Sequence, residues 1–346
     1  MFPVINKNKK RLNILRWYYT ILLLGCILLF FCSKNIQNKS YLTLAKYFLD
    51  QRGKEIKLKM YPEGSRFAIY NGFLAGVSIS GDRFFYPNPL ACNTEFAFNQ
   101  GSLQRKLWFG VACCPGNVTR FLPSVPGYQY AQKENNLYVN LFIAGKMNTE
   151  ILGNHVEIAQ KTNYPWDGNI KITVKPEQIS QFIINIRIPN WAQNRPVPGD
   201  LYRYLDITSS EIILKVNDVK VPLIIRNGFA QIDRFWDKGD KIKLELPMTV
   251  KKVVSNKKVK ENAVKIAFEK GPLVFCAEEA DNGKGLFDIL VDKTLSISEQ
   301  FSPNLLNGIQ TIKIQNKNQT GKPITLIPYY AWNHRGIGEM VVWLNN

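Results

Sequence analysis

The chain has 346 residues, of which 45% are hydrophobic and 12% aromatic, and these can fill the cores of two or three domains. Its formal charge is +18, but the lysines and arginines are spread along the chain without a long basic block outside the N-terminus. Because no nucleic-acid recognition module accompanies this charge, nucleic acid is excluded as an expected partner. Attraction to an acidic polysaccharide or an anionic surface stays open.

The N-terminus has the pattern of an export signal or a membrane anchor. Basic residues between positions 7 and 16 precede an uncharged, mostly apolar run at 17–32. This run is long for a signal peptide and short for a complete membrane span, so cleavage and retention both stay open, as does lipidation at Cys26 or Cys32. Either outcome assigns residues 1–33 to the signal or anchor and predicts an exported protein, periplasmic or on the outer surface of a bacterium.

The periodicity of apolar residues changes along the rest of the chain. Residues 41–53 have apolar side chains at helical spacing and predict a helix. From about Ala131 onward, short segments alternate polar and apolar residues between Gly, Pro and Asn turns, which predicts antiparallel strands. Strands at this spacing, without intervening helices, predict two β-sandwich domains, at 131–250 and 251–346.

Two adjacent cysteines, Cys113 and Cys114, are the strongest chemical signal in the chain, and Pro115 fixes the backbone beside them. The thiolate is the reactive and metal-binding form of cysteine, so the pair indicates a metal-thiolate site or a nucleophile. A buried hydrophobic pair and a strained vicinal disulfide are the alternatives. Two thiols cannot complete a zinc site. With Cys92 and Cys276 there are too few cysteines here for a disulfide framework.

Other candidate ligands are few. Glu95 follows Cys92 at i+3 and could supply replacement oxygen and sulfur ligands, although a chance pairing in a loop is the simpler explanation. His155 lies in an alternating, strand-like segment and is expected to have a structural or surface role.

Several motifs together resemble glycoside hydrolase family 127, the family of β-L-arabinofuranosidases. In chain order they occupy residues 70–78, 83–90, 108–117, 121–128, 188–192, 228–230, 236–240, 270–274 and 327–336. The resemblance runs from about Met60 to the C-terminus, and the combination is far more specific than any single motif. It implies a mainly β chain with an N-terminal α remnant: a partial (α/α)6-barrel fragment at 34–130, followed by the two β-sandwiches.

The resemblance also implies a retaining glycosidase with an unusual nucleophile. Cys113 would attack the anomeric carbon and form a thioglycosyl intermediate, whereas most retaining glycosidases use two carboxylates. Zinc, held by Cys113 and Cys114, would be the cofactor and would keep the nucleophile deprotonated. The partner would be an arabinose-containing glycan, from plants or another source, and the resemblance leaves the oligomeric state open.

The chain departs from the family pattern before residue 61. Family members carry a long (α/α)6 barrel there, which supplies a Glu-x-Cys pair of zinc ligands and a separate glutamate acid/base. Only the short segment 54–60 separates the predicted helix from the next matching motif, so most of that barrel has no counterpart in this sequence. We therefore expect impaired or absent activity, with a non-catalytic carbohydrate-binding protein and a fragment without independent function as alternatives.

Two further expectations depend on the resemblance. His334 lies in the motif at 327–336, where the family pattern suggests a loop that packs domains together. Four aromatic residues could form a wall for stacking sugar rings, or they could belong to the core. They are Phe84, Phe85, Tyr86 and Trp108.

Overall fold

The computed structural model describes residues 68–197, 199–207, 210–292, 294–315 and 321–346. The predicted export segment at 17–32 and the predicted helix at 41–53 lie outside these residues. Within the described ranges, no helix is long and apolar enough to cross a membrane.

The described part of the chain consists mainly of strands. The first eleven are β1 (Ala91–Cys92), β2 (Tyr130–Lys133), β3 (Asn136–Val139), β4 (Gly145–Ile151), β5 (Asn154–Thr162), β6 (Asn169–Pro176), β7 (Ser180–Arg187), β8 (Tyr202–Tyr204), β9 (Ile213–Val216), β10 (Val219–Lys220) and β11 (Ile225–Arg226). The remaining ten are β12 (Phe229–Trp236), β13 (Asp240–Glu245), β14 (Val250–Ser255), β15 (Lys265–Lys270), β16 (Leu273–Glu278), β17 (Ser296–Ser302), β18 (Ile309–Gln315), β19 (Ile324–Pro328), β20 (Met340–Val341) and β21 (Leu344–Asn345).

Helical structure is confined to short elements. The α-helices are α1 (Cys113–Phe121) and α2 (Glu279–Asn282), and further helical turns span Ala68–Phe73, Leu122–Tyr128, Asn190–Gln193, Lys260–Asn262, Leu286–Asp288 and Tyr329–Ala331. The prediction of a mainly β chain is confirmed. The (α/α)6 fragment stays a prediction, because the helical structure of the described residues up to 130 is limited to α1 and two helical turns.

Two sheets form the middle of the chain. One has six strands in the order β10-β9-β13-β6-β5-β4, and the other has five in the order β11-β12-β7-β3-β2. Alternating residues of β5 and β6 are buried, as the sequence pattern predicts for strands with one face in a core. The fully buried Trp236 donates its indole N–H to the Phe182 carbonyl oxygen at 2.9 Å, which ties the end of β12 to β7.

The C-terminal part forms one curled sheet of ten strands, with the central order β17-β18-β19-β16-β15-β14-β8. Two of its strands come from elsewhere in the sequence: β1 pairs with β20, and β8 pairs with β14. Strand β16 pairs with β15 near its start and with β20 at its end. The buried side chains of this sheet and of the middle sheets belong to one continuous hydrophobic cluster. The predicted domain boundaries near residues 130 and 250 stay predictions.

A buried polar cluster lies where β8 joins the C-terminal sheet. Lys251 in β14 is directly opposite Glu269 in β15, and Tyr204 in β8 donates a hydrogen bond to Glu269 Oε2 at 2.8 Å. The Lys251 ammonium donates to Trp191 O at 3.0 Å and to Asn194 Oδ1 at 2.8 Å. Burial raises the pKa of Glu269 to about 7 and lowers the pKa of Lys251. The carboxyl group therefore holds its proton more tightly in the folded chain than in the unfolded chain.

This cluster predicts a pH dependence of folding stability. The free energy of unfolding should fall by about 3 kcal/mol as the pH rises from 4.5, the usual pKa of the side chain, to 7, and the contribution should then level off. Glu269→Gln should remove most of this fall, because an amide does not ionise. Urea denaturation at pH 5 and pH 8 measures it, with Glu245→Gln as the control. Equal pH dependence in the wild-type chain and Glu269→Gln would contradict the prediction.

Candidate active site

Cys113 is the first residue of helix α1. The helix begins with a hydrogen bond from the Gly116 N–H to the Ala112 carbonyl oxygen at 2.9 Å, and the Cys113 side chain is exposed. Backbone N–H groups at a helix N-terminus favour negative charge, which suits a reactive thiolate. The alternative of a buried hydrophobic residue is wrong for Cys113. The side chain of Cys114 lies outside the described part of the structure.

The hydroxyl group of Tyr86 approaches this sulfur. Tyr86 Oη lies 2.6 Å from Cys113 Sγ, and either atom can be the donor. The Tyr86 ring packs edge-on against Phe109, with the ring centroids 5.4 Å apart, and Phe109 is buried. Tyr86 and Cys113 belong to two different motifs and are 27 residues apart in the sequence, and their side chains are in contact.

Asn99 holds the backbone of Tyr86 in place through hydrogen bonds. Its side chain is fully buried, and Oδ1 accepts a hydrogen bond from the Tyr86 N–H at 2.8 Å. Its Nδ2 donates to the Phe84 carbonyl oxygen at 3.2 Å and to the Gln104 carbonyl oxygen at 2.8 Å. Sequence reasoning missed this residue, because a single asparagine in a loop gives no pattern from which such a role can be predicted.

The four aromatic residues do not form one wall. Phe85 is buried and stacks on Trp332, with the ring centroids 5.1 Å apart, so the core alternative is right for this residue. Phe84 packs edge-on against Trp108 at 5.5 Å, and Trp108 is 50% exposed. Tyr86 faces Cys113. Of the four, Phe85 is therefore excluded from contact with a sugar ring.

Arg105 connects this region to the C-terminal loop. It is buried, and its guanidinium donates to Ala75 O at 2.8 Å, to Trp332 O at 2.8 Å and to Asn333 O at 3.3 Å. The guanidinium carbon also lies 4.1 Å from the centroid of the Phe85 ring. Since Arg105 lies outside the conspicuous motifs, its role could not be predicted from the sequence.

The two histidines behave as the sequence indicates. His334 Nδ1 lies 2.8 Å from Ala331 O, and its Nε2 accepts a hydrogen bond from the Ile79 N–H at 2.9 Å. Burial, together with the nearby charge of Arg105, lowers the pKa of His334 to about 4, so the ring is neutral at pH 7. The expected packing role of His334 is confirmed, and His155 is exposed in β5, as expected for a surface residue.

The described side chains do not provide a zinc site. Cys92 is buried in β1, where burial raises the pKa of its thiol, and Glu95 Oε2 accepts a hydrogen bond from Asn93 Nδ2 at 2.6 Å at the surface. Among the residues that the structure describes, no three His, Cys, Asp or Glu side chains converge as metal ligands. A tetrahedral structural zinc needs four ligands and a catalytic zinc needs three from the protein. The described donors therefore do not fit this ion.

Comparison with known proteins identifies the family. Three models match in chain order: the GH127 catalytic domain of β-L-arabinofuranosidase at residues 59–127, the GH127 middle domain at 136–248 and the glycoside hydrolase family 127 C-terminal domain at 250–345. They match the segment that carries Tyr86 and Cys113, the two middle sheets and the curled sheet. The chain belongs to glycoside hydrolase family 127.

Individual relatives agree with this assignment. The chain is 29% identical over 306 residues to a non-reducing end β-L-arabinofuranosidase of Bifidobacterium longum subsp. longum, covering 80% of this chain and 44% of that protein. A solved GH127 β-arabinofuranosidase superimposes with a TM-score of 0.74 at 37% identity, covering 87% and 46% of the two chains. A GH127 β-L-arabinofuranosidase from Geobacillus stearothermophilus T6 gives 0.70 at 32% identity, covering 88% and 48%. The chain thus spans a little under half the length of these relatives.

The contacts of Arg105 predict a large loss of stability when its guanidinium is removed. Arg105→Met keeps a long apolar side chain but leaves buried carbonyl oxygens without their donors, and we expect it to cost about 2 to 4 kcal/mol. Urea denaturation measures the difference. Arg83→Met is the control, because the Arg83 side chain is 54% exposed. Similar small losses in both variants would show that Arg105 does not hold the two segments together.

Proposed function

We propose that this chain carries the nucleophile of a β-L-arabinofuranosidase site and that Cys113 is that nucleophile. The observation that supports the proposal is the exposed Cys113 sulfur at the start of α1, with the Tyr86 hydroxyl 2.6 Å away. The proposed substrate is a glycan that contains arabinofuranose, in keeping with the names of the relatives. The proposal includes export of the chain through its N-terminal segment.

The proposed reaction has two steps. Cys113 Sγ, as the thiolate, forms a bond to the anomeric carbon while the bond from that carbon to the glycosidic oxygen breaks, and the departing oxygen takes up a proton from solvent water. Water then forms the new carbon–oxygen bond and loses a proton, while the carbon–sulfur bond breaks and returns its electron pair to sulfur. Configuration is retained because two displacements occur at the same carbon.

We further propose that turnover by this chain alone is weak or absent. The family pattern implies a glutamate acid/base from the barrel segment, and the motifs of this sequence do not include it. Proton donation by a positioned group contributes typically about 10² to 10⁴ in rate. A site without that group would keep the nucleophile but lose much of its catalytic power.

Activity and metal content test this proposal together. The purified chain should hydrolyse an aryl β-L-arabinofuranoside slowly or not at all, and any turnover should disappear in Cys113→Ser. Metal analysis should find less than one zinc per chain, because the described donors do not complete a site. Release of arabinose measures the complete reaction. Mass spectrometry of the Cys113 peptide detects the thioglycosyl intermediate that the first step forms. Turnover that survives Cys113→Ser would refute the nucleophile, and fast turnover with one zinc per chain would refute the proposed impairment.

Glycan binding without turnover is the second candidate function. It is favoured by Trp108, which is half exposed and is held edge-on by Phe84, since an exposed aromatic face can stack on a sugar ring.

This candidate predicts binding that depends on the exposed indole. Trp108→Ala should weaken binding of an arabinofuranose oligosaccharide by about tenfold, because an aromatic contact of this kind is worth about 0.5–1.5 kcal/mol beyond its buried area. Isothermal titration calorimetry measures the affinity. Phe235→Ala is the matched control, because Phe235 is 63% exposed on β12 and belongs to the middle domain. Equal affinity in the wild-type chain and Trp108→Ala would exclude Trp108 as the binding residue.

A further inference from the structure

The Tyr86 hydroxyl is held in place independently of Cys113. The Tyr86 N–H is bound by the fully buried Asn99, and the preceding residue, Phe85, is buried against Trp332. The Tyr86 ring packs against the buried Phe109. Backbone and ring are therefore both constrained, and these constraints fix where the hydroxyl group lies.

The position of the Cys113 sulfur depends on one side-chain rotation. Cys113 is exposed, and rotation about its Cα–Cβ bond moves the sulfur among staggered positions. A hydrogen bond at 2.6 Å from Tyr86 Oη favours the position in which the sulfur faces the tyrosine. A nucleophile gains rate when its attacking atom is held close to the reactive geometry.

We propose that Tyr86 is a positioning residue that donates its hydroxyl hydrogen bond to the Cys113 sulfur and holds it ready for attack. The catalytic meaning of this role rests on the proposed function, because it assumes that Cys113 is the nucleophile. A hydroxyl donor also stabilises the thiolate form of Cys113, because hydrogen bonds to charged groups are stronger than those between neutral groups. Asn99 contributes to the same arrangement, because its Oδ1 accepts a hydrogen bond from the Tyr86 N–H.

The test measures the reactivity of the Cys113 thiol directly. Iodoacetamide is added to the full chain at pH 7.5, and the rate of alkylation at Cys113 is followed by peptide mass spectrometry, with fragment ions separating it from Cys114. Tyr86→Phe keeps the ring against Phe109 and removes only the hydroxyl, and it should lower this rate about tenfold. Tyr202→Phe is the matched control, because it removes a hydroxyl from a ring that packs on Trp343 in the C-terminal sheet. It should leave the rate within twofold of the wild type.

A second variant gives a response that a purely structural role would not produce. Tyr86→3-fluorotyrosine keeps the shape of the ring and makes its hydroxyl a stronger donor, so Cys113 should react faster than in the wild-type chain. The buried thiols Cys92 and Cys276 report folding in the same digest, because they should stay unmodified in a folded chain. If Tyr86→Phe exposes them, the fluorinated variant alone decides the question.

Two results would overturn the proposal. One is a rate in Tyr86→Phe that equals or exceeds the wild-type rate in a folded chain, and the other is no acceleration in the fluorinated variant. Alkylation needs no sugar and no turnover, so these results are separate from the arabinofuranoside assay. A chain whose Cys113 reactivity follows Tyr86, but whose slow hydrolysis survives Cys113→Ser, would keep the positioning role and lose the proposed function.

Discussion

The candidate site depends on the hydrogen bonds that the buried guanidinium of Arg105 donates. It donates hydrogen bonds to carbonyl oxygens of Ala75 and Trp332, which are more than 250 residues apart in the sequence. Carbonyl oxygens of loops have no regular partners within a sheet or helix, and burying them without donors is costly. One planar cation with five N–H groups satisfies several of them at once. The segment that carries Tyr86 is thereby joined to the loop after β19.

The consecutive aromatic residues Phe84, Phe85 and Tyr86 pack against different neighbours. Phe85 contacts both the Arg105 guanidinium and the Trp332 ring, and these contacts fix it in the core. Its neighbours Phe84 and Tyr86 point elsewhere, one towards the half-exposed Trp108 and the other towards Cys113. The buried ring therefore anchors the backbone that carries Phe84 and Tyr86.

The sequence predicts the strands better than it predicts their partners. Long strands such as β5 and β6 alternate buried and solvent-facing residues, and this pattern can be read directly from the chain. Strands β1 and β8 have two and three residues, too few to show any period, so their entry into the C-terminal sheet could not be predicted. The cysteine pair was conspicuous, because adjacent thiols are unusual. Asn99 and Arg105 were not, because their roles come from long-range contacts rather than from spacing.

The position of β8 limits where this chain can be cut to give a shorter, stable polypeptide. Its residues Tyr202–Tyr204 come from the region before residue 250, yet they cover the outer edge of β14 in the C-terminal sheet. A polypeptide that begins at residue 250 would lack this strand and would expose the unpaired N–H and C=O groups of β14. Exposed edges of this kind pair readily with other chains, which leads to aggregation. Tyr204 would also be missing, so Glu269 would lose its hydroxyl donor. The C-terminal sheet therefore includes two strands, β1 and β8, that precede residue 250, where the match to the C-terminal family model begins.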